Sequence, residues 1–235
     1  MEKEERVAEF TPKEKIKNLI LPEKPSLELA YFCGVLAGDG SIGYRDSKKE
    51  YCIKCVGNPK DEQEYYNSLI KVLIKRLFNL EINPKFHDKK TTYGVSIYSK
   101  SLVNYLVKVI GLPIGKKYNS LKIPEIFIKT KELARSFIRG VADTDFHLAI
   151  RKKAYPVISG VSKSESFIKE IKNFLEEDGF RVSMYKREDK DKRLNKIILT
   201  YRLELYGKKQ FFRWMELIGL DHPKNQEKIK FLMNS

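Results

Sequence analysis

The chain repeats itself, and the repeat constrains its architecture more than any other feature. Tyr98-Ser99-Lys100 returns as Tyr206-Gly207-Lys208, and Ile110-Gly111-Leu112 returns as Ile218-Gly219-Leu220, each 108 positions on, with Lys116 and Lys224 at the same interval. Apolar periodicity and stop signals run in the same order through both halves. In the first, Ser26 caps a helix LELAYFCGVLAG, strands follow near 41–44 and 51–56, a helix runs from Pro59 to Phe78, strands return near 83–87 and 92–98, and a helix covers 102–110. In the second, Thr130 caps KELARSFIRGVADT, with strands near 146–152 and 154–161, a helix over 165–178, strands near 181–186 and 197–206, and a helix over 209–218. A duplicated supersecondary unit must bury its apolar faces against its twin. The expected fold class is therefore α+β: two pseudo-symmetric αββαββα units with antiparallel sheets, joined at a two-helix interface. Residues 1–25 read as an N-terminal basic extension in which Thr11 caps a short helix with Pro12 at its first position. The first unit spans 26–125 and the second 126–235.

The leading helices of the two units carry small residues at every fourth position, Ala30, Gly34 and Gly38 in one and Ser136, Gly140 and Thr144 in the other, in register at an offset of 106. That spacing lines each trio along one face and lets two helix backbones approach closely. Glycine inside a helix costs about 1 kcal/mol against alanine, so a contact at Gly34 and Gly140 is the physical reason to keep it. Leu29, Phe32, Val35 and Leu36, and Leu133, Phe137, Ile138 and Val141, are left to face the sheets. Beside each small face stands an aspartate, Asp39 or Asp145. A helix C-terminus disfavours a carboxylate, and two packed helix ends add like-charge repulsion. A divalent cation with oxygen ligands relieves both and can activate water against a phosphodiester. Alternatively, Asp39-Gly40 is a plain turn pair.

Lysine plus arginine number 46 against 31 acids, a net charge of +15, which points to a polyanionic partner, nucleic acid first. The alternative is a charged surface serving heat stability. No apolar run long enough for a membrane span exists, and the N-terminal residues MEKEERVAEF lack the apolar core of a secretory signal, so an intracellular, cytoplasmic protein is expected. Three cysteines argue against a disulfide framework; a zinc site built on the pair Cys52 and Cys55 would need Cys33 and the scattered His87, His147 and His222. Strand alternation puts Tyr51, Ile53 and Cys55 on one face and Cys52, Lys54 and Val56 on the other, and mixed basic patterning recurs at Lys85 and His87 and at Arg181 and Lys186. Candidate DNA-binding side chains are Arg45, Lys54, Lys85, Arg151, Lys152, Lys186, Arg187, Arg193 and Arg202, arginine suited to guanine and lysine to phosphate. The charged loops 45–50, 88–91 and 187–196 read equally as surface or as DNA clamps.

With FCGVLAGDG at 32–40 and IRGVADTDF at 138–146, the chain resembles the LAGLIDADG homing endonucleases in their single-chain form with two motif copies, over residues 26 to about 232. The resemblance implies a monomeric, site-specific double-strand DNA endonuclease using Mg2+ or Mn2+, whose sheets form a saddle in the major groove. It implies Asp39 and Asp145 as metal-binding carboxylates joined by the backbone carbonyls of Gly38 and Thr144, and Gly34 and Gly140 at the helix contact. Lys100 and Lys208, at the ends of the fourth strands, are candidates for stabilising transition-state charge. The family's water-ordering Gln or Lys is replaced by Asn58 and Ser162. Phe146 departs from the family's small residue, and because a bulky aromatic does not tolerate positive φ, it is expected to end the helix differently or to crowd the second metal. A non-cleaving DNA- or RNA-binding protein, an intron-splicing maturase or a regulator on the same scaffold, is the alternative. No obvious splicing ends flank the repeat, which favours a free-standing or intron-borne frame.

Overall fold

The computed structural model describes residues 10–48, 50–117, 120–191 and 196–235. Two helices form its axis: α2 (Leu27–Gly38), capped by the Ser26 hydroxyl on the Leu29 N–H, and α6 (Lys131–Asp145), capped by Thr130 on the Leu133 N–H. They run parallel and touch along their small faces. A Cβ on Gly34 would overlap the Phe137 carbonyl oxygen, one on Gly140 the Tyr31 carbonyl oxygen, and one on Gly38 the Thr144 hydroxyl. Ser136 Oγ adds a 2.7 Å hydrogen bond to the Leu27 carbonyl across the same seam. The absence of side chains at Gly34 and Gly140 is what permits backbone-to-backbone contact, and it fixes the C-terminal ends of the two helices side by side.

Each axial helix feeds an antiparallel four-stranded sheet. The first is ordered β1-β2-β4-β3, with β1 Gly40–Arg45, β2 Glu50–Gly57, β3 Lys85–His87 and β4 Thr92–Tyr98. The second is ordered β5-β6-β8-β7, with β5 Phe146–Arg151, β6 Tyr155–Ser162, β7 Ser183–Asp191 and β8 Lys196–Tyr206. Ile53, Cys55, Val95 and Ile97 on one sheet, and Leu148, Ile158, Leu203 and Leu205 on the other, are buried under the helices, while the alternate residues form the opposite faces. Part of the segment expected as a charged loop at 187–196 is strand: β7 runs on to Asp191, and β8 starts at Lys196. Arg193 lies outside the described residues.

The remaining helices pack on the same buried sheet faces. A π-helical stretch Tyr65–Ile70 continues into α3 (Lys71–Phe78), and α4 (Lys100–Asn104) continues into a second at Tyr105–Ile110. They are followed by α5 (Glu125–Ile128), α7 (Glu165–Glu177), α8 (Lys208–Leu217) and α9 (Gln226–Met233). The N-terminal helix α1 (Pro12–Ile16) is docked by an acid rather than by its basic residues. Buried Glu14 accepts from Ser99 Oγ at 2.6 Å, Ser101 N at 3.0 Å and Ser101 Oγ at 2.7 Å, at the start of α4. Burial raises its pKa, but the hydrogen bonds from Ser99, Thr11 and Ser101 hold it down at about 2. Among the described residues, no helix is long and apolar enough to cross a membrane.

Candidate active site at the paired helix ends

Asp39 follows α2 with helical φ and ψ of −86° and −3°, and Asp145 is the last residue of α6, so the contact at Gly34 and Gly140 delivers both carboxylates to one place. The seam is tight here too: the Gly38 Cβ position lies 3.4 Å from Asp145 Cγ. Both side chains are half-buried. Burial pushes the Asp145 carboxyl up to about 7, and the Asp39 charge adds to the rise against the pull of Lys117 and Lys224. Asp39 is likewise raised by burial, opposed by Lys224 and Lys117. Among the described residues, no hydrogen bond or ion pair within 4 Å reaches either carboxylate. Two adjacent, partly desolvated carboxylates without a partner are disfavoured as anions, and a divalent cation is the species their oxygen donors suit.

The lysines beside them come from the segment after the helix that follows each unit's fourth strand, Lys117 after Tyr105–Ile110 and Lys224 after α8. Lys117 Nζ donates to the carbonyls of Ala37 at 2.8 Å and Gly40 at 2.9 Å, and to Gly38. The last carbonyls of α2 have no intrahelical donor, and the ammonium satisfies them. The Gly38 carbonyl that the resemblance assigned to the metal is thus also an acceptor for Lys117. Lys224 Nζ donates to the Asp143 carbonyl at 2.9 Å, the matching turn of α6. Burial lowers the Lys117 pKa against the pull of Asp145, Cys55 and Asp39. The repeat IGLPIGKK and IGLDHPKN carried this signal, but its strict 108-residue interval pairs Lys224 with Lys116, which is exposed. The first loop is one residue longer, and the lysine that points inward is Lys117.

Lys100 and Lys208 are not brought to this site. In the sheet register, Gly40 faces Cys55 and Cys55 faces Val95, so β4 leaves the level of Asp39 and Lys100 stands five residues further on, roughly 15 Å at strand rise. Phe146, Gly160 and Leu203 put Lys208 at the same remove. Strand direction, invisible in the motif spacing, decides this. Asn58 is also occupied: its Oδ1 accepts from Lys60 N at 3.0 Å, and its Nδ2 donates to Asp61 at 2.9 Å. In the other half, Ser162 Oγ accepts from Ser164 N at 3.1 Å.

Phe146 neither ends the helix aberrantly nor crowds the carboxylates. Its φ and ψ are −104° and 161°, ordinary strand values, and no positive φ occurs at Gly40 either, so the glycine there answers a demand for space. A Cβ on Gly40 would meet Leu36, whereas Phe146 follows Ala142 at the same helical spacing and turns its ring over Gly160 onto Trp214, 6.0 Å away. Large and small residues are exchanged between the halves, and the ring lies in the core.

Asp143, fully buried, is a scaffold residue. It accepts from Tyr31 Oη at 2.6 Å across the helix seam, and from the backbone N–H groups of Asp221 and His222, which holds the loop that aims Lys224. Burial raises it to about 6 against the hydrogen bonds from Tyr31 and His222.

On the sheet faces turned away from the helices stand Arg45, Lys54 and Lys85 in one unit and Arg151, Arg187 and Arg202 in the other. Several are held in place. Lys54 pairs with Asp88 at 2.6 Å, Arg187 with Asp189 at 2.9 Å, Arg45 donates to Tyr98 Oη at 3.2 Å, and Arg151 lies over the Tyr206 ring. Lys152 occupies the turn between β5 and β6. Lys186 sits on the opposite face, beside Glu165 and Lys169 of α7, because it pairs with Tyr201, one residue out of phase with Arg202.

No family model matches the chain. Among curated proteins it is 29% identical over 213 residues to a glutamine–fructose-6-phosphate aminotransferase of Methanocaldococcus jannaschii, covering 91% of this chain and 18% of the relative. It is also 29% identical over 182 residues to a probable translation initiation factor IF-2 of that organism, covering 76% of this chain and 14% of the relative. A DNA polymerase of Thermococcus hydrothermalis is 26% identical over 230 residues, 92% of this chain and 13% of the relative. The chain thus spans less than a fifth of each. Among solved structures, I-DmoI in complex with DNA and Mn superposes at a TM-score of 0.57 with 18% identity, over 83% of this chain and 97% of that one. I-DmoI with DNA and Ca gives 0.60 with 16% identity, over 87% and 97%. The homing endonuclease I-WcaI bound to its DNA recognition sequence gives 0.52 with 13% identity, over 88% of each. With two sheets, a parallel helix seam and an aspartate at each helix end, the chain has the fold of the LAGLIDADG homing endonucleases, both motif copies in one polypeptide.

Proposed function

We propose that this protein is a divalent-metal-dependent endonuclease that cuts double-stranded DNA at a defined site, acting as a monomer with internal two-fold pseudosymmetry. The observation that carries the reading is the unpartnered pair Asp39 and Asp145, held together by a helix seam between two basic sheet faces. Magnesium or manganese bound by these carboxylates, with the Thr144 carbonyl as a further donor, would supply Lewis acidity and charge neutralisation toward the phosphodiester. Lys117 and Lys224 place fixed positive charge where the phosphoryl group gains negative charge, in a site that burial shields from water. Arg45, Lys54 and Lys85, with Arg151, Arg187 and Arg202, bind and orient the duplex along the two sheets. Lys100 and Lys208 have no part at the reacting centre in this scheme, and contact to the DNA backbone suits them better. The recurrence of related segments in an aminotransferase, an initiation factor and a polymerase fits a segment that moves between genes, as a homing nuclease does.

The test is cleavage of a supercoiled plasmid pool carrying randomised inserts, with Mg2+ or Mn2+, followed by sequencing of the cut ends. Wild type is expected to yield one family of sites, and Asp39→Asn and Asp145→Asn to lose double-strand cleavage by at least roughly 100-fold. Double-strand cutting at wild-type rate by either variant would refute the assignment. Duplex binding that is tight and salt-sensitive without any product would select the non-cleaving alternative, which the buried position of Phe146 no longer favours.

A further inference from the structure

We propose that Glu62 is the proton acceptor for the attacking water on one of the two DNA strands, a role with no counterpart in the second unit. The inference rests on the endonuclease reading above. Its geometric basis is the end of β2. Gly40 pairs with Cys55, so Gly57, two residues beyond Cys55 on the same face, lies one strand across from the end of α2 that carries Asp39. Gly57 has no side chain of its own, and the Glu62 carboxylate fills the place its Cβ would take. The turn leading into the Tyr65–Ile70 stretch thus supplies an acid to a strand end that lacks one, with Glu62 N bonded back to the Asn58 carbonyl at 3.1 Å.

The surroundings suit a group that handles protons. Glu62 is half-buried, and the charged or titratable groups around it are Asp39 from α2, Cys55 and Tyr66 from the adjoining core, Lys224 from the C-terminal loop, and Asp61 from its own turn. Burial first, then Asp39, push its carboxyl up to about 7, against the pull of Lys224 and the Asn58 backbone. Glu62 is beside the carboxylate pair rather than part of it: among the described residues no three His, Cys, Asp or Glu side chains gather closely enough to hold an ion. Asn58, the other polar group at this strand end, is tied into its own turn. In the second unit Cys55 corresponds to Gly160, and the same interval carries Glu62 to Phe167, which is buried in the core. The neighbouring acid there, Glu165, is paired with Lys169 at 2.7 Å.

In the step assigned to Glu62, a carboxylate oxygen takes a proton from water as the water oxygen forms its bond to phosphorus. The bond from phosphorus to the 3′ oxygen breaks, its electron pair stays on that oxygen, and a solvent proton completes the 3′ hydroxyl opposite a 5′ phosphate. The experiment uses a duplex of a site recovered from the plasmid pool, each strand carrying a different fluorophore, with the full-length protein and Mg2+. Glu62→Gln is expected to cut one strand at close to wild-type rate and the other about 100-fold more slowly, so that nicked product accumulates. In Glu62→Ala, added formate is expected to restore the slow strand alone. Equal wild-type rates on both strands in Glu62→Gln would remove the role while leaving the endonuclease reading intact. Equal slowing of both strands without formate rescue would reduce Glu62 to a structural part and also overturn the proposal. Should Glu62→Ala fail to fold, the strand bias of Glu62→Gln decides alone, and a wild-type protein that cuts neither strand removes both readings.

Discussion

Phe146 and Gly40 hold equivalent places, yet one is the bulkiest residue at its helix end and the other the smallest. The exchange works because the partners change with them: Leu36 and Cys55 fill the space around Gly40, and Ala142 and Gly160 vacate it around Phe146. Phe146→Ala should therefore behave as a core truncation, lowering stability by about 3–5 kcal/mol in denaturant titrations, with cleavage retained at temperatures where the variant is folded. Loss of cleavage from a fully folded variant would restore a direct role for this residue. Asp145 makes a prediction of opposite sign. Its folded pKa is raised from 3.8 to about 7, so the folded state holds the proton more tightly than the unfolded one, and stability falls as pH rises through that window. In EDTA, Asp145→Asn should unfold at a higher temperature than wild type at about pH 8, the gap closing toward pH 4. A wild type that matches the variant across this range would contradict the burial of the charge. These residue-level facts were only half legible. The carboxylates could be read from motif and register, but the place of Phe146 depended on what stands across the strand, and Lys117 on a one-residue difference in loop length.

At the scale of elements, the molecule is organised by a seam in which glycine serves contact rather than flexibility. Small residues at every fourth position were visible in the sequence, and they meet as the spacing requires: Gly34 against Phe137 and Val141, Gly140 against Tyr31 and Val35. A Cβ on Gly140 has backbone in its way, which cannot swing aside as a side-chain tip would. Gly140→Ala should cost about 1–3 kcal/mol at the upper end of what overpacking does, and should separate the helix ends enough to weaken Mg2+ binding measured by calorimetry. Unchanged stability and metal affinity would mean that the helices meet less closely than this. The seam also carries the chain from Tyr65 through Tyr31 to Asp143, hydroxyl to hydroxyl at 2.9 Å and hydroxyl to carboxylate at 2.6 Å, tying one unit to the loop that orients Lys224 in the other. Nothing in the repeat announced it, since Ala37 stands where the second unit has Asp143.

For the whole molecule, a net charge of +15 is spread over a surface whose sheet faces hold arginine and lysine in pairs with acids and aromatic rings. Such pairing restricts the side chains, and in the proposed DNA-binding role a phosphate or base edge would replace the acid. Affinity for a duplex should fall steeply with salt, by roughly 1,000-fold or more between about 50 and 200 mM, if the two sheets engage on the order of six phosphates or more. Fluorescence anisotropy across a salt series checks this, and a flat response would point to a charge that serves the surface alone.

The duplication, the alternation of strands and helices, the small faces of α2 and α6, and the two aspartates beside them are all legible in the amino-acid order, because periodicity and residue size are local properties that repeat in register. Only the packed chain settles which lysines stand beside those aspartates on the neighbouring carbonyls, where the Phe146 ring goes, which strand face Lys186 occupies, and that Glu62 stands over Gly57. Each of these depends on strand direction, on pairing partners or on the length of a loop, quantities fixed only when distant parts of the chain are packed together.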